Sequence, residues 1–486
     1  MRFIGIFLCL MINLNCVFGQ LRNNIWCFGD SAGIDFNQSV PASIATNLDS
    51  RGSCVSIADS SGNLLFYAGT GEGNALERTK VRSANGDLLL NGDSIIGRAW
   101  YNELCIIPYP GNSSKYYLFS VGVTSIYGLY YSIIDMSANS GLGEVIEKNI
   151  QVDSLAAWDI LTSIKHANGR DWWLIMKING SNYDDSLVEY LITPTGLFKN
   201  VQSIGAIVEG NSGNIVFSKD GDKLLFTTYG GVIQFFDFDR CTGLFSNPRA
   251  IFNPTNGVWG ITGSAFSSNG NVIYYATSDA NSYLIQLDLT ASNIWASRDT
   301  LVSLDHPFEA AGSLRLAPDN KIYWSCAWTN GIVFNYPYQD TMYHVENTYL
   351  SVINDPDILG NGSNVSMYSF YLGGKRCYWG LPNNPDYDLG PLSGSICDSL
   401  TNGIDENENT FIHIYPNPVG NTANVSIESE QIISVEAINT LTQTFQLSFE
   451  KMNSKLEINT SNLPAGIYNL HIKAIKKEFI VKFIKM

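Results

Sequence analysis

Positive charge is sparse in this sequence: 29 Lys and Arg stand against 45 Asp and Glu in 486 residues, leaving a formal net charge of −16. Phosphate neutralisation needs clustered Lys and Arg, so no nucleic-acid partner is expected. Histidine is also scarce, at five residues. His166, His306 and His344 share no metal-ligand spacing, and His413 and His471 lie near the C-terminus. None of the nine cysteines stands at CxxC or zinc-knuckle spacing, so neither a metal nor a cofactor is expected. Past the first twenty residues there is no apolar run of the roughly 20 residues that a spanning helix needs. A sustained apolar stripe at helical spacing is missing too, which points to an all-β chain.

What is present begins with residues 1–19. Arg2 is a minimal positive n-region, residues 3–14 are apolar, and Val17-Phe18-Gly19 ends in a small residue. That is the pattern of a signal peptide cleaved after Gly19, and it leaves no transmembrane anchor in the mature chain. Cleavage removes Cys9 and Cys16 and leaves an odd number of cysteines, so at least one thiol stays free. Cys377 and Cys397 flank a Pro-rich loop and are the candidate disulfide pair, while the others read as small buried hydrophobes.

A repeat dominates the middle of the chain. An apolar or aromatic strand, a tight turn and, in all but the last unit, a second such strand recur around Gly62, Gly111, Gly169, Gly221, Gly270, Asn320 and Gly373. These anchors lie 49 to 58 residues apart. Gly or Asn recurs because a tight hairpin needs positive φ. Repeats of roughly 40–50 residues built from short strands are the signature of a β-propeller, here seven-bladed over residues 20–390. A ring must hide its free edges, and Ile25-Trp26-Cys27-Phe28 or Ile34-Asp35-Phe36 is the expected N-terminal strand docking in the last blade.

The Pro- and Asn-rich residues 380–387 cannot continue a central strand, and the stretch becomes acidic and polar towards Thr410. Residues 391–410 are therefore read as a linker. Residues 411–486 return to short alternating strands, suiting a small Ig-like β-sandwich. That C-terminal part has a net charge of +1 and the leader another +1, so residues 20–410 carry −18.

Three blocks in the C-terminal part are specific: Ile414-Tyr415-Pro416-Asn417-Pro418-Val419, Leu463-Pro464-Ala465-Gly466-Ile467-Tyr468, and a Lys-rich end containing Lys482 and Lys485. Together they resemble the type A C-terminal sorting domain of the type IX secretion system. The resemblance implies passage through the periplasm of a Gram-negative bacterium to the cell surface or medium, with the secretion machinery as partner. It implies Tyr415, Pro416, Asn417, Pro418, Gly466, Tyr468, Lys482 and Lys485 as the sorting signal. In this reading Pro416 and Pro418 stiffen the entry turn, Gly466 permits a tight turn, and the last strand presents its Lys residues. Phe217-Ser218-Lys219-Asp220-Gly221-Asp222-Lys223-Leu224 resembles the inner hairpin of WD-like and YVTN-like propellers.

No catalytic residue is assigned. Gly29-Asp30-Ser31 resembles the nucleophile block of GDS-type esterases, but the later Asp-x-x-His pair is missing. Asp355, Asp357 and Asn361 lack EF-hand spacing, and Gly69-Thr70-Gly71-Glu72-Gly73 lacks the strand-then-helix setting of a phosphate loop. Trp172, Trp173, Trp324, Trp328, Tyr336 and Tyr338 are candidate recognition aromatics, with packing between blades as the default. Asp-Ser/Thr pairs at Asp30, Asp93, Asp153, Asp185, Asp299, Asp340 and Asp398 resemble a bacterial O-glycosylation motif. The expectation is an exported β-propeller that binds a protein or glycan. The alternative is a carbohydrate-active or other hydrolase using paired carboxylates in the propeller funnel.

Overall fold

The computed structural model describes residues 21–71, 78–97, 102–122, 128–178, 185–208, 212–251, 260–278, 282–329, 343–398, 414–415, 419–426, 431–439, 443–452, 455–474 and 478–485. The expected signal peptide lies outside them. The chain divides into two compact units, residues 1–402 and 403–486.

Among the described residues, the first unit holds seven antiparallel sheets, over residues 25–49, 54–83, 104–153, 157–203, 213–251, 261–303 and 309–371. We number them blades 1 to 7. Blades 3 to 7 have four strands, paired in sequence order, and blades 1 and 2 have three. The first strands of successive blades pack side by side. Trp26 and Phe36 of blade 1 meet Tyr323 of blade 7 edge-on, with ring centroids 5.9 and 5.5 Å apart, and close the ring. Inner strands such as Cys54–Ala58 and Trp172–Ile178 are buried along their whole length, which their apolar and small residues allow. The turns fall where the repeat places them: Gly62, Gly111, Gly169, Gly221, Gly270 and Asn320 all have positive φ.

The seventh blade is not where the repeat puts it. Met367 to Tyr371 belong to the outermost strand of blade 7, Val365–Tyr371, which is half-exposed. The remaining blade comes instead from the N-terminus, where Ile25–Phe28, Asp30–Asp35 and Ala42–Asp49 form a whole sheet rather than one docking strand. Ile25 pairs with Asp35 and Ala42 pairs with Asp35, whereas Asp49 pairs with Asp30 beside the end of the first strand. In blade 5, by contrast, the first strand starts beside the end of the last. The three strands of blade 1 thus take the second to fourth places, and the chain leaving blade 7 bridges to them at Asp30 and Arg376.

That outgoing chain does not behave as a linker where it begins. The Arg376 guanidinium grips the Asp30 carboxylate at 2.6 Å. The backbone N–H of Trp379 donates to Arg51 O, and Leu381, Asn383 and Tyr387 are buried. Asn383 donates through Nδ2 to Leu104 O of blade 3 and Leu161 O of blade 4. Its backbone N–H donates to Cys54 O of blade 2, and its Oδ1 accepts from Arg315 of blade 7. Further on, Lys165 donates to Tyr387 O and Arg240 to Gly390 O, both at 2.6 Å. Leu392 N–H donates to Ala167 O, so the start of the expected 391–410 linker is also packed.

The disulfide differs from the expected pair. Cys397 bonds Cys241, in the last turn of blade 5, with Cα atoms 5.7 Å apart. Cys377 is fully buried in the apolar contact between blades 1 and 7 and is a free thiol. Spacing in sequence favoured the nearer cysteine, whereas the path of residues 377–397 across the ring carries Cys397 away from it.

The second unit is a β-sandwich. One sheet contains Ile414–Tyr415, Thr422–Ser426, Lys455–Asn459 and Phe449–Met452, and the other Thr444–Gln446, Ile432–Asn439, Gly466–Ala474 and Glu478–Lys485. Val425, Val435, Leu456, Leu470 and Phe483 fill a shared core between them.

Replacing Asn383 by Ala leaves two buried carbonyls and the Arg315 guanidinium short of a partner. Each such loss costs about 1–3 kcal/mol. Asn383→Ala is expected to lower the unfolding free energy of the first unit by at least that amount, and its urea midpoint with it, measured by urea unfolding. An unchanged midpoint would mean the amide is dispensable.

Candidate ligand-binding site

The inner strands converge on a buried polar centre. Arg315 of blade 7 donates through Nη2 to Asn102 Oδ1 at 2.6 Å and through Nε to Pro382 O at 3.1 Å. Burial lowers its pKa to about 10, so it stays charged and is held by neutral acceptors among these contacts. Nearby, Asn102 N–H donates to Asp159 O and joins blades 3 and 4. Burial pushes the Asp159 carboxyl well above the usual carboxylate range, and the adjoining Glu103 pushes it further. Glu103 and Asp159 are neighbouring acids at this centre. They are buried, 0% and 6% exposed, and so do not line an open cleft of the kind the hydrolase alternative needs.

A second cluster lies at the end of the inner hairpin of blade 7, where Glu309 pairs with Trp328. Phe308 and His344 both stack on the Trp328 ring, with centroids 5.5 and 4.6 Å away. Phe308 is 40% exposed. The exposed Tyr343 lies 4.4 Å above the Arg376 guanidinium, which extends the aromatic surface to the closure of the ring. Beneath the stack, Glu309 Oε1 accepts from the Tyr368 hydroxyl at 2.8 Å and Glu309 Oε2 from Asp305 N–H at 2.6 Å. Burial raises the pKa of Glu346, with Glu309 adding to the shift and His344 opposing it from 4.0 Å. Tyr368 has φ +47°, a strained conformation for a bulky residue, next to a register shift in its strand.

Among the aromatics singled out in the sequence, Trp172, Trp173 and Trp324 are core residues. Trp328 is at the surface cluster, and Tyr336 and Tyr338 lie outside the described residues. Phe308, His344 and Glu346 had no motif to mark them. Ser31 sits in the tight turn of blade 1 with φ +64°, and its hydroxyl donates to Asp30 Oδ1 at 3.4 Å. Asp357 accepts from Ser268 Oγ and Asn269 N–H, so it fastens blade 7 to blade 6. Among the described residues no group of three acidic, His or Cys side chains is placed to hold a metal. Ser94, Ser154 and Thr300 of the Asp-Ser/Thr pairs are exposed, whereas Ser186 is buried.

The sorting-signal residues separate by environment. Tyr468 is 2% exposed, stacks on Phe483 at 5.5 Å and donates to Pro464 O at 2.9 Å. Gly466 starts its strand opposite Lys485, outside the positive-φ region, and a Cβ there would meet only Tyr468 at 3.6 Å. The turn role expected for Gly466 is therefore not what its backbone does. Lys485 is 7% exposed, so the last strand does not present it to solvent. Tyr415 and Lys482 lie on edge strands of the two sheets. Pro416, Asn417 and Pro418 lie outside the described residues.

Residues 413–486 match the family described as the secretion system C-terminal sorting domain. This part of the chain is a sorting domain. It indicates export to the cell surface or extracellular space by the type IX system. Among the described residues no helix is long and apolar enough to cross a membrane. No curated protein matches the chain. Similar solved structures include a candidate 6-phosphogluconolactonase of Bacteroides fragilis, at 12% identity and TM-score 0.46, covering 74% of this chain and 96% of that one. PorZ, an essential surface component of the type IX secretion system of Porphyromonas gingivalis, is similar at 11% identity and TM-score 0.34, over 94% of this chain and 62% of that one. The β-propeller domain of Swd1 from Myceliophteria thermophila follows at 11% identity and TM-score 0.37, over 63% and 93%. At such values no activity carries over, and the propeller assignment rests on the seven sheets.

The Asp159 carboxyl holds its proton more tightly in the folded chain than in the unfolded one. Its stabilising contribution is complete below the ordinary carboxylate value and is lost as pH rises through the higher folded value. Asp159→Asn cannot ionise, so its melting temperature should exceed that of the wild type at about pH 7 and converge with it at about pH 3. Parallel melting curves at both pH values would contradict a neutral buried Asp159.

Proposed function

We propose that the exported protein is a binding protein of the cell surface or extracellular space, and that the blade 7 cluster takes a saccharide. The observation that carries this reading is the Phe308–Trp328–His344 stack, with one ring exposed, beside the Glu309 and Glu346 carboxylates. Aromatic faces contribute apolar contact to the C–H faces of a sugar, and carboxylates accept from its hydroxyls. The reading of residues 1–19 as a cleaved signal, and of Tyr415, Pro416, Asn417, Pro418, Gly466, Tyr468, Lys482 and Lys485 as the feature read by the secretion machinery, belongs to the same proposal. The burial of Tyr468 and Lys485 favours recognition of the folded sandwich over recognition of free side chains.

A glycan array probed with the exported protein tests the ligand class. Phe308→Ala and Trp328→Ala should each lower the signal at least about tenfold while the melting temperature of the Phe308 variant stays unchanged. Array binding that survives both substitutions would remove blade 7 as the site. Deleting residues 413–486 should leave the protein in the periplasm, and undiminished surface delivery would contradict the role given to the tail.

A further inference from the structure

A basic pocket lies between blades 1 and 2, away from the blade 7 stack. Arg78, Lys80 and Arg82 alternate along the third strand of blade 2, Thr79–Ser83, and its approach. Side chains two apart on a strand share a face, and the intervening Thr79 and Val81 are buried on the other side. All three cations line one cavity of about 230 Å³. Gly69 on the neighbouring strand and Gly71 just past its end, the glycines of the discarded phosphate-loop motif, line it as well, together with Leu48 and Asp49 of blade 1.

The glycines make the space. Gly69 pairs directly with Lys80, so no side chain stands across from that ammonium. A Cβ on Gly69 would come within 2.7 Å of Leu48 Cδ1, and one on Gly71 within 3.3 Å of Asp49 Oδ2. The Arg82 guanidinium is oriented by donating to Gly86 O at 2.9 Å. Neither Arg78 nor Lys80 has a hydrogen-bond or ion-pair partner among the described residues. Two cations left in this state beside a third are unusual on a region carrying −18, because acidic partners are abundant.

We propose that this pocket binds an acidic sugar residue, with its carboxylate or sulfate against Arg78 and Lys80 and its ring over the two glycines. A planar guanidinium and a nearby ammonium suit a carboxylate. The volume of about 230 Å³ suits one ring. An extended polyanion such as nucleic acid is disfavoured by the acidity of the rest of the ring. The site is independent of the blade 7 reading, and either can fail alone.

Isothermal titration of the full-length protein with digalacturonic acid tests the proposal, with galactobiose as the neutral counterpart and sodium sulfate as the bare anion. Digalacturonic acid should bind, weaken as salt is raised, and lose at least about tenfold in affinity in Arg78→Gln/Lys80→Gln. A control Lys148→Gln/Lys219→Gln removes equal charge elsewhere and should bind as the wild type does. Absence of binding, equal binding of galactobiose, equal binding of sulfate alone, or equal losses in both double variants would each overturn the acidic-sugar assignment. Circular dichroism of both variants establishes that they are folded.

Discussion

The ring depends on one amide. Asn383 reaches the backbone of blades 2, 3 and 4 and accepts from Arg315 of blade 7, so four of seven blades meet at a single side chain and its peptide. In a low-dielectric centre such bonds are strong when complete and costly when broken. Arg315 needs them equally, since its charge is buried and its other acceptors are Asn102 and Pro382. On either side of Asn383, Arg376 holds Asp30 and Cys397 holds Cys241. The segment following the last blade therefore ties the first blade to the last and anchors itself at blade 5.

This has a functional consequence. A centre filled by the protein's own chain keeps Glu103 and Asp159 away from solvent, so both proposed binding sites lie away from it. The exposed aromatic stack on blade 7 and the basic pocket between blades 1 and 2 are those two sites, one apolar with acids beneath and one cationic. A protein carrying a sorting domain works outside the cell, where a covalent Cys241–Cys397 link persists.

Much of this organisation is legible in the sequence, and the illegible part has a common cause. The turns at Gly62, Gly111, Gly169, Gly221, Gly270 and Asn320 could be found because positive φ restricts residue choice locally. The sorting domain could be found because its blocks are local as well. Blade 1 was hidden because it lacks a first strand of its own, so no inner hairpin marks it, and Gly373 gave a false seventh anchor. The partnership of Cys241 with Cys397 and that of Asn383 with Leu104 span 156 and 279 residues and obey no period. Likewise His344 and Glu346 join Trp328 and Glu309 only through the folding of blade 7. Gly466 shows the opposite limit, since a motif residue was legible while the turn assigned to it was wrong.

Hydrogen exchange of the full-length protein, followed by mass spectrometry, tests the hub most directly. Peptides covering residues 380–387 should be as protected as those from the inner strands Cys54–Ala58 and Leu104–Pro108, because their amides open only when the ring opens. Exchange of residues 380–387 at the rate of an unstructured linker, with the inner strands still protected, would contradict the role given to Asn383.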